Sequence, residues 1–434
     1  MSVAVEPMVN LPTELRPPLA HDEVLLEADR CLACGGPYAL APCTVACPAD
    51  VDISGFVEAL ARDDVVSAAE TIYDQNLLAG SCSRVCPVEV LCEGACVLTE
   101  EPIQIAALQR YATDWALQHD VPLRPAAAPT GHSVAVVGAG PAGLACAGEL
   151  AARGHSVTVF EERQEIGGLI RFAIAPYRIE AEPLPAEQRA LEALGVRFRF
   201  GSEVAGLDEL ASYDAVFLGV GLGEDVAMEL PGDELAGVWE SLPFIEALKT
   251  GSPPAVGERV VVIGGGNTAI DVARESVRLG ATNVTIVYRR TREDMPAYSF
   301  EVDEAEEEGV AFAFRTLPVR FLGAGRVNAV ECVSMRPGSP DESGRRRPVP
   351  VPGSEFSLRV DTVVRAIGQQ PRPELADRFG GFEHDWGKVV VDDDGRTSNR
   401  RVFAGGDAVN GGDSVVEAVR HGKRAAAAID RSLT

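Results

Sequence analysis

Eight of the ten cysteines lie within residues 31–96, where they form four closely spaced pairs. The pairs are Cys31 with Cys34, Cys43 with Cys47, Cys82 with Cys86, and Cys92 with Cys96. Proline follows directly after Cys47 and after Cys86. Eight thiolates at this spacing can hold two [4Fe–4S] clusters, and a Cys-Pro step is typical of cluster ligation. The cysteine pattern therefore predicts an iron–sulfur domain at the start of the chain.

Sequence composition limits the chemical states that these cysteine thiols can have. The segment Met1–Ala20 has no apolar signal core, and no apolar run reaches the roughly 18 residues of a membrane helix. We therefore expect a cytoplasmic protein, in which structural disulfides are rare. Structural zinc is the main alternative, because paired cysteines also suit tetrahedral zinc.

Cys146 and Cys332 stand alone and are expected to be core residues. The net charge of −26 argues against nucleic acid as a partner.

The remaining sequence predicts an α/β fold with two Rossmann-like nucleotide-binding domains after an all-α iron–sulfur domain. Residues 21–118 show helical periodicity, including 53–69 and 103–117, and the Pro/Ala-rich segment Pro122–Thr130 is typical of a linker. We expect the second of these nucleotide-binding domains to be inserted in the first. The predicted boundaries are 1–128 for the iron–sulfur domain, 129–250 with 365–434 for the first nucleotide-binding domain, and 251–364 for the second.

Strand, glycine turn, helix and second strand follow one another between residues 134 and 160. Gly138 permits a tight turn, Gly140 lets the backbone approach a pyrophosphate, and Gly143 lets the helix pack closely on the strand. Glu161 ends the second strand, where an acid binds ribose hydroxyls. The order of these features predicts a dinucleotide site at this turn, with its diphosphate at the N-terminus of the helix.

Two later Gly-rich segments favour FAD at this first site. Residues 167–171 follow Glu161 closely, and residues 402–414 carry a Gly-Gly-Asp turn before a helix that begins at Ser414. The positive end of that helix would stabilise a reduced flavin. Either segment alone would also fit an ordinary glycine turn. The predicted FAD contacts are Gly138, Gly140, Pro141, Ala142, Gly143, Glu161, Gly168, Leu169, Arg171, Gly406, Asp407 and Ser414, and a further cofactor contact is predicted at Gly368.

A second unit of the same kind begins near residue 260. Its turn contains Gly264, Gly266, Asn267 and Thr268, and its second strand ends at Tyr288. Arg289 and Arg290 follow in place of an acid, with Arg292 close by. Guanidinium groups bind a ribose 2′-phosphate that a carboxylate would repel, so this site is expected to prefer NADPH to NADH. The alternative is that these arginines are solvated surface charge.

Other features bear on the path of the electrons and on the layout of the chain. No CxxC occurs between residues 245 and 365, so a dithiol relay like that of thioredoxin reductase is not expected. The apolar runs Val360–Ala366 and Val402–Phe403 are predicted strands that return to the first domain. The segment Pro337–Val351 is predicted to be a polar, Pro-rich loop.

The ordered set of the cysteine domain, the two glycine turns, the arginine pair and the Gly-Gly-Asp turn resembles one family over nearly the whole chain. It looks like the small subunit of glutamate synthase and the N-terminal half of dihydropyrimidine dehydrogenase. The stretches 82–96 and 102–111 resemble the second branch, in particular its bacterial NAD(P)-binding subunit. Eight residues separate Cys34 from Cys43, which is more than the family usually has, and residues 173–176 read Ala-Ile-Ala-Pro where relatives often have Gly-Ile-Pro.

The resemblance implies cluster ligands that are not consecutive along the chain. One cluster would be held by Cys31, Cys34, Cys43 and Cys96. The other would be held by Cys47, Cys86, Cys92 and Gln109, which leaves Cys82 without a role as ligand. Spacing alone would choose all eight cysteines and would miss Gln109.

The family also implies the function. We expect an electron-input subunit that passes electrons from NAD(P)H through FAD and two [4Fe–4S] clusters to an FMN-containing partner subunit. Dihydropyrimidine dehydrogenase is the first expectation for the complex, and the glutamate synthase small subunit with its large partner subunit is the alternative. A ferredoxin–NADP oxidoreductase-like subunit is a further one. From a different class, the cysteine domain would be a zinc-held interaction platform on a flavin-dependent sensor.

Overall fold

The structure is a computed structural model that describes residues 14–122, 124–179, 183–340 and 346–434. Most of the predicted Met1–Ala20 segment, Leu123 of the predicted linker and residues 341–345 of the predicted loop lie outside these ranges. Two compact units are present. Within the described ranges, the larger unit comprises residues 16–171, 178–223 and 371–434, and the smaller unit comprises residues 14–15, 172–177 and 224–370.

The cysteine region is helical, as predicted. Its helices are α1 (His21–Asp29), α2 (Pro42–Ala46), α3 (Ile53–Ala61), α4 (Val65–Tyr73), α5 (Ala79–Val85) and α6 (Ile105–Gln118), with 3₁₀ turns at Gly36–Tyr38 and Val88–Val90. The periodicity over 53–69 is interrupted, because Asp63 adopts a φ of +59°. Asp64 then caps α4 by accepting a hydrogen bond from the Ser67 N–H at 3.1 Å.

The first predicted βαβ unit is confirmed. Its elements and their successors are β1 (Ser133–Val137), α7 (Pro141–Ala152), β2 (Ser156–Phe160), α8 (Leu169–Phe172), α9 (Leu184–Ala193), β3 (Arg197–Arg199) and β4 (Ala215–Leu218), with a 3₁₀ turn at Leu207–Leu210. Buried apolar residues fill β1, which is expected of a strand that is covered on both faces.

The second predicted βαβ unit is also confirmed. The elements of this part are β5 (Val238–Glu240), α10 (Ser241–Lys249), β6 (Arg259–Ile263), α11 (Asn267–Arg278), β7 (Asn283–Tyr288), α12 (Ser299–Glu307), β8 (Ala311–Phe314), β9 (Thr316–Gly323), β10 (Val327–Pro340), β11 (Arg346–Pro350), β12 (Phe356–Arg359) and β13 (Thr362–Arg365), with a 3₁₀ turn at Arg292–Asp294. Strands β9 to β12 form an antiparallel sheet of their own in the order β11-β10-β12, with β9 also paired to β10.

The C-terminal part completes the larger unit. It contains α13 (Glu374–Arg378), β14 (His384–Asp385), β15 (Lys388–Val389), β16 (Val402–Ala404), α14 (Asp407–Asn410) and α15 (Val415–Leu433). The larger unit has a parallel sheet in the order β16-β4-β1-β2-β3, and the smaller unit has one in the order β5-β13-β6-β7-β8. The α/β class with parallel Rossmann-like sheets is therefore confirmed.

One predicted strand belongs to the other sheet. β16 lies in the first sheet, as expected for 402–403. The strand predicted at 360–366 is β13, which pairs with β6 through Val363 and Val261 in the second sheet, so its predicted return to the first domain is wrong. A short apolar strand that is buried on both faces suits either parallel sheet, so its composition does not identify its neighbours.

The predicted polar loop at 337–351 is wrong where it is described. β10 and β11 pair in antiparallel register, with Met335 opposite Pro350 and Arg336 opposite Val349. β11 is an edge strand of its sheet, and proline is tolerated there because its missing N–H need not serve a neighbour.

Helix α15 lies directly against the glycine-turn helix of the larger unit. A Cβ on Gly422 would lie 2.3 Å from the Ala142 carbonyl oxygen, so only glycine allows the two helices to approach this closely. Lys423 is next in sequence, and its ammonium donates to the Ala49 carbonyl oxygen at 2.6 Å and to Gln75 Oε1 at 3.2 Å. α15 is thus fixed to both the α7 helix and the cysteine region.

None of the helices described is long and apolar enough to cross a membrane.

Candidate functional site: two glycine turns and two cysteine-lined cavities

The first glycine turn has the geometry of a phosphate-binding loop. Gly138 adopts a φ of +99°, and Gly140 is the N-cap residue of α7. A Cβ on Gly143 would lie 2.0 Å from the Gly138 carbonyl oxygen, so the close packing predicted for Gly143 is present. A Cβ on Gly140 would meet no protein atom nearer than 3.8 Å. The space beside Gly140 is therefore open at the end of α7 where its first residues, Pro141 and Ala142, present the positive end of the helix dipole.

Separate segments of the larger unit meet at this turn. The Gly167 N–H donates to the Ala139 carbonyl oxygen at 2.8 Å, and a Cβ on Gly168 would lie 3.1 Å from the Gly140 Cα. A Cβ on Gly406 would lie 3.0 Å from the Ala142 Cβ. The three predicted flavin-binding segments are therefore brought together around one helix N-terminus.

Sequence reasoning missed a fourth contributor to this turn. Gly219 follows β4, and a Cβ there would lie 2.9 Å from the Gly143 backbone nitrogen. A single glycine after a strand carries no motif. Only the pairing of β4 with β1 brings it to the loop.

Glu161 supports the first turn from the end of β2. Its side chain is buried and accepts hydrogen bonds from the Ala139 N–H at 2.7 Å and the Arg163 N–H at 2.9 Å. Arg171 nearby is held by Glu165, with Nε 2.7 Å from the carboxylate. Leu169 begins the short helix α8. The acid at the strand end thus fixes the glycine loop, and its oxygens retain lone pairs for a ribose.

The Gly-Gly-Asp turn is the third segment that lies at the N-terminus of α7. Gly406 adopts a φ of +71° and donates its N–H to His421 Nδ1 at 3.0 Å, so this nitrogen is the acceptor and burial lowers the pKa of His421. Burial raises the pKa of Asp407, whose carboxylate accepts the Asp413 N–H at 3.3 Å. Ser414 caps α15 by accepting the Glu417 N–H, so the predicted start of this helix is confirmed. His421 is a further residue that the sequence did not single out.

The second turn has the same form in the smaller unit. Gly264 adopts a φ of +146°, and a Cβ there would lie 2.1 Å from the Ala366 carbonyl oxygen. Gly266 is the N-cap of α11, and a Cβ on it would meet no protein atom nearer than 4.0 Å. Asn267 Oδ1 accepts the Tyr298 N–H at 3.0 Å, so it fixes the loop after β7, while Thr268 continues the first turn of the helix. The space beside Gly266 is open, as it is beside Gly140.

The three arginines after β7 are not equivalent. Arg292 pairs with Asp303 and with Glu306, the latter at 2.6 Å. Arg289 is exposed and Arg290 is half-buried, and among the described residues neither forms an ion pair. The buried Nε of Arg290 also has no hydrogen-bond partner there. Arg289 and Arg290 are therefore the guanidinium groups available to a phosphate. Gly368, the other predicted contact, follows β13 in the same unit with a φ of +111°.

The cysteines of the N-terminal region line two separate cavities. Cys31, Cys34, Cys43 and Cys96 line the first cavity. Cys47, Cys82, Cys86, Cys92 and Gln109 line the second. All eight are free thiols. The cavities thus keep the two implied ligand sets apart, although the members of each are far from consecutive in sequence, and Cys82 is an additional lining residue of the second; the ligation itself stays a prediction.

Gln109 lines the second cavity, and its amide is held in place. Its Nε2 donates to the Ala79 carbonyl oxygen at 2.9 Å, which fixes the amide and leaves Oε1 available as a ligand. Cys82 is buried beside Cys86. Val416 from the first turn of α15 completes this cavity, so the second cavity borders the helix that starts at the Gly-Gly-Asp turn.

The donor sets suit a cluster better than a single ion. Zinc bound by four thiolates has Zn–S distances of about 2.3 Å, so its ligands must converge on one point. In the part of the chain that the structure describes, no three His, Cys, Asp or Glu side chains converge in this way. A cubane is larger and separates its ligand sulfurs, which fits two cavities lined by four or more donors each. Burial raises the pKa of Cys43 to about 11, so a thiolate there requires a bound cation.

These features define a class of protein: a flavin- and pyridine-nucleotide-dependent oxidoreductase with an iron–sulfur domain at its N-terminus. Residues 132–422 match the pyridine nucleotide-disulphide oxidoreductase family, and residues 9–121 match the 4Fe–4S cluster domain known as dihydropyrimidine dehydrogenase domain II. The chain belongs to this oxidoreductase family and carries the 4Fe–4S cluster domain in front of its FAD/NADP-binding part.

Relatives align along nearly the entire chain. The NADPH-dependent glutamate synthase small chain of Escherichia coli is 38% identical, over 95% of this chain and 92% of that protein. The corresponding protein of Halomonas elongata is 39% identical, over 95% and 91%. The beta subunit of the NADP⁺-dependent formate dehydrogenase of Moorella thermoacetica is 38% identical, over 92% of this chain and 60% of that protein.

Solved structures share the fold. FprA of Mycobacterium tuberculosis in complex with NADPH has a TM-score of 0.58 at 21% identity, over 71% of this chain and 85% of that one. Thioredoxin reductase of Lactococcus lactis has a TM-score of 0.55 at 22% identity, over 70% and 99%. At this level of identity the likeness concerns the fold alone.

Proposed function

We propose that this chain is the NADPH-oxidising, electron-input subunit of a hetero-oligomeric oxidoreductase. The observation that carries the proposal is the grouping of the eight thiols into two cavities within one unit that also contains the first glycine turn. FAD accepts electrons in pairs and releases them singly, as iron–sulfur clusters require. The two cavities then serve as the exit route for those single electrons.

The residues of this chain have separable tasks in that proposal. The turn from Gly138 to Gly143 holds the FAD diphosphate, and Gly406 and Asp407 enclose it from the other side. The turn from Gly264 to Thr268 holds the diphosphate of NADPH. Arg289 and Arg290 bind its 2′-phosphate.

The two cavities hold one [4Fe–4S] cluster each in this proposal. Their ligands are Cys31, Cys34, Cys43 and Cys96 in the first, and Cys47, Cys86, Cys92 and Gln109 in the second. Cys82 is a neighbour of the second cluster rather than a ligand.

The partner favoured by the relatives is the large subunit of glutamate synthase, which makes glutamate from glutamine and 2-oxoglutarate. Two of the relatives are glutamate synthase small chains, and the alignment with this chain spans more than nine-tenths of each of them. This reverses the order expected from the sequence, which put dihydropyrimidine dehydrogenase first. The pyrimidine enzyme remains the second candidate because Gln109 lines the second cavity and because the matched cluster domain carries that enzyme's name.

Reconstitution with separate partners distinguishes the candidates. The holo-chain is mixed anaerobically with purified large subunit of glutamate synthase, or with the FMN-containing subunit of dihydropyrimidine dehydrogenase, and NADPH oxidation is followed. We expect oxidation that requires both glutamine and 2-oxoglutarate with the first partner. Oxidation that requires uracil with the second partner would select the pyrimidine function, and turnover with neither partner would refute the proposal of an input subunit for these enzymes.

A cysteine variant tests the direction of electron flow. Cys86→Ala is expected to abolish delivery to the partner while NADPH still reduces an artificial dye through FAD. Cys332→Ala is the matched control, because Cys332 is also a free thiol but lies in β10 of the smaller unit. Loss of dye reduction in folded, FAD-replete Cys86→Ala protein would contradict the proposed route.

A further inference from the structure

Exposed apolar side chains lie on the chain segments that carry the cysteines of the first cavity. Leu32 lies between Cys31 and Cys34, and Val97 follows Cys96; both line the cavity. Tyr38 and Leu40 lie on the loop between Cys34 and Cys43, and Val45 is two residues after Cys43. The exposed fractions are 63% for Leu32, 97% for Tyr38, 71% for Leu40, 69% for Val45 and 50% for Val97. Single exposed apolar residues are ordinary, but five on the segments that carry the cysteines of one cavity point to an interaction surface.

The second cavity differs in its surroundings. Val416 of α15 lines it, and two of its four cysteines, Cys82 and Cys92, are buried, whereas all four cysteines of the first cavity are half-buried. Between Cys86 and Cys92 one large apolar side chain, Val90, is exposed. The first cavity therefore has more of its thiols and more of the neighbouring apolar surface open to an external partner than the second.

The loop that carries Tyr38 and Leu40 is tightly folded rather than extended. Gly35 adopts a φ of +99°, and a Cβ there would lie 2.4 Å from the Ala39 carbonyl oxygen and 2.8 Å from the Ala41 backbone nitrogen. The 3₁₀ turn Gly36–Tyr38 follows directly. The chain thus folds back on itself and holds the two side chains outward, which reduces the entropy lost on binding.

The charges around this surface are acidic. Asp29, Glu100 and Glu101 are exposed, and Arg30, the basic residue among them, is paired with Glu27 at 2.7 Å and with Glu101 at 3.6 Å. A second copy of this chain would bring a like acidic rim and another net charge of −26 to the contact. An anionic membrane surface would be repelled in the same way. A complementary partner has an apolar surface with a basic rim.

We propose that Leu32, Tyr38, Leu40, Val45 and Val97 form an exit patch, the surface on which the catalytic partner subunit docks to receive electrons. The Cys34–Cys43 loop supplies its two anchors, Tyr38 and Leu40. This inference rests on the proposed function as an input subunit and adds to it the surface and the residues that select the partner.

Two substitutions in the exit patch test the proposal without disturbing the core. Tyr38→Ser combined with Leu40→Ser changes only exposed side chains, and Trp386→Ser is the matched control because Trp386 is 90% exposed on the β14–β15 turn. Affinity for the purified large subunit of glutamate synthase is measured by titration calorimetry with holo-protein. We expect the double variant to bind roughly tenfold or more weakly, since exposed aromatic anchors dominate interfaces, and the control to bind as wild type.

Four readouts separate the outcomes: dye reduction, the cluster spectrum, affinity for the partner and self-association. NADPH–dye reduction and the electron paramagnetic resonance spectrum of the clusters should be unchanged in the double variant, which excludes damage to the cavity. Unchanged affinity for a partner that wild type binds would overturn the exit patch alone. If wild type binds neither that subunit nor the pyrimidine-enzyme subunit, the proposed function fails and the exit patch with it. Formation of a homodimer that the double variant loses would assign the patch to self-association instead.

Asp29→Lys with Glu100→Lys tests the charge argument separately, and Glu101 is left in place because it pairs with Arg30. This variant should weaken binding of the same partner, and the loss should shrink as salt is raised, because screening removes the contribution of exposed rim charges. A partner that binds the variant more tightly would contradict the assignment of a basic rim.

Discussion

The two nucleotide-binding units show the same architecture built twice with different sequences. Each has a five-stranded parallel sheet, in the orders β16-β4-β1-β2-β3 and β5-β13-β6-β7-β8, and each has a glycine turn after a central strand. In both units the N-cap glycine of the following helix, Gly140 or Gly266, has open space beside it. A neighbouring glycine of the turn, Gly143 in the larger unit and Gly264 in the smaller one, is closely packed. The common features are those that a diphosphate requires of any such loop.

The units differ at the end of the strand next to the glycine turn. In the larger unit that position is Glu161, which is buried and hydrogen-bonded to the loop backbone. In the smaller unit Arg289 and Arg290 follow Tyr288, free of ion pairs in the described chain. From this comparison we propose that the loop sets where a dinucleotide lies, while the residue at the strand end sets which dinucleotide is accepted.

Their buried acids differ as well. Glu187 of α9 is fully buried and accepts hydrogen bonds from the Ser81 N–H at 2.8 Å and the Ser81 hydroxyl at 2.6 Å, and burial raises its pKa to about 7. Burial also acts to raise the pKa of Glu308 in the smaller unit, but hydrogen bonds from Arg278 and Arg274 outweigh it and lower that pKa. A carboxyl without an ion-pair partner and one with two thus respond to pH in opposite directions.

The largest effect is expected from alanine at the two open N-cap glycines. Gly140→Ala and Gly266→Ala place a methyl group where no protein atom is near, so both variants should fold. Each methyl group occupies the approach to a diphosphate. Gly140→Ala should lose FAD, and Gly266→Ala should keep FAD but lose at least about tenfold (~1.4 kcal/mol) in NADPH affinity. Flavin absorbance measures the FAD content, and stopped-flow reduction at several NADPH concentrations measures the NADPH affinity. Loss of FAD from Gly266→Ala would contradict the separate assignment of the sites.

The next effect concerns the arginine pair. Arg289→Gln with Arg290→Gln should raise the KM for NADPH roughly ten- to a hundredfold, because each charged hydrogen bond to the 2′-phosphate is lost, and should leave the KM for NADH nearly unchanged. Arg292→Gln is the control, since its guanidinium is engaged by Asp303 and Glu306. Steady-state kinetics with both nucleotides give the ratio. Equal changes for NADPH and NADH would refute recognition of the 2′-phosphate.

The smallest effect on activity is expected from Glu187, which makes the stability of the larger unit depend on pH. With a folded-state pKa of about 7 against an ordinary 4.5, Glu187 binds more protons in the folded than in the unfolded protein between these values. Stability therefore falls as pH rises through this window, by up to about 3 kcal/mol. Glu187→Gln should match wild type near pH 5 and have the higher melting temperature near pH 8.

Scanning calorimetry of both proteins at the two pH values checks the Glu187 prediction. Glu308→Gln is the comparison in the smaller unit. The lowered folded-state pKa of Glu308 gives stability that is present above its unfolded value and lost only as pH falls through more acidic values. Its difference from wild type should hence be constant between pH 5 and 8. A constant difference for Glu187→Gln as well would show that this carboxyl stays ionised.

Much of the fold could be read from the sequence, because local patterns decide it. Apolar strands, glycine turns and helix starts such as Ser414 depend on neighbouring residues, and these predictions are confirmed. The sheet to which β13 belongs is decided by tertiary pairing, since its short apolar run would suit either sheet. The β10–β11 hairpin is polar and contains prolines, so its composition could not show that this segment forms strands at the edge of a sheet.

The candidate site divides in a similar way. Motif glycines such as Gly138 and Gly264 carry a local conformational signal. Gly219 and His421 carry none, because their contacts with Gly143 and Gly406 arise only when distant segments pack. The grouping of the cysteines into two cavities also joins residues that are far apart in the chain, and it was expected only through the resemblance to a known family.

The central claim is that the N-terminal thiols hold redox-active iron–sulfur clusters that are reduced from NADPH through FAD. The most direct test is to purify the native protein anaerobically, determine iron and acid-labile sulfide, and record its absorption before and after addition of NADPH. The account predicts a brown protein with about eight irons and eight sulfides per chain whose broad absorption bleaches with NADPH. A folded, yellow protein that contains zinc and lacks sulfide would contradict it.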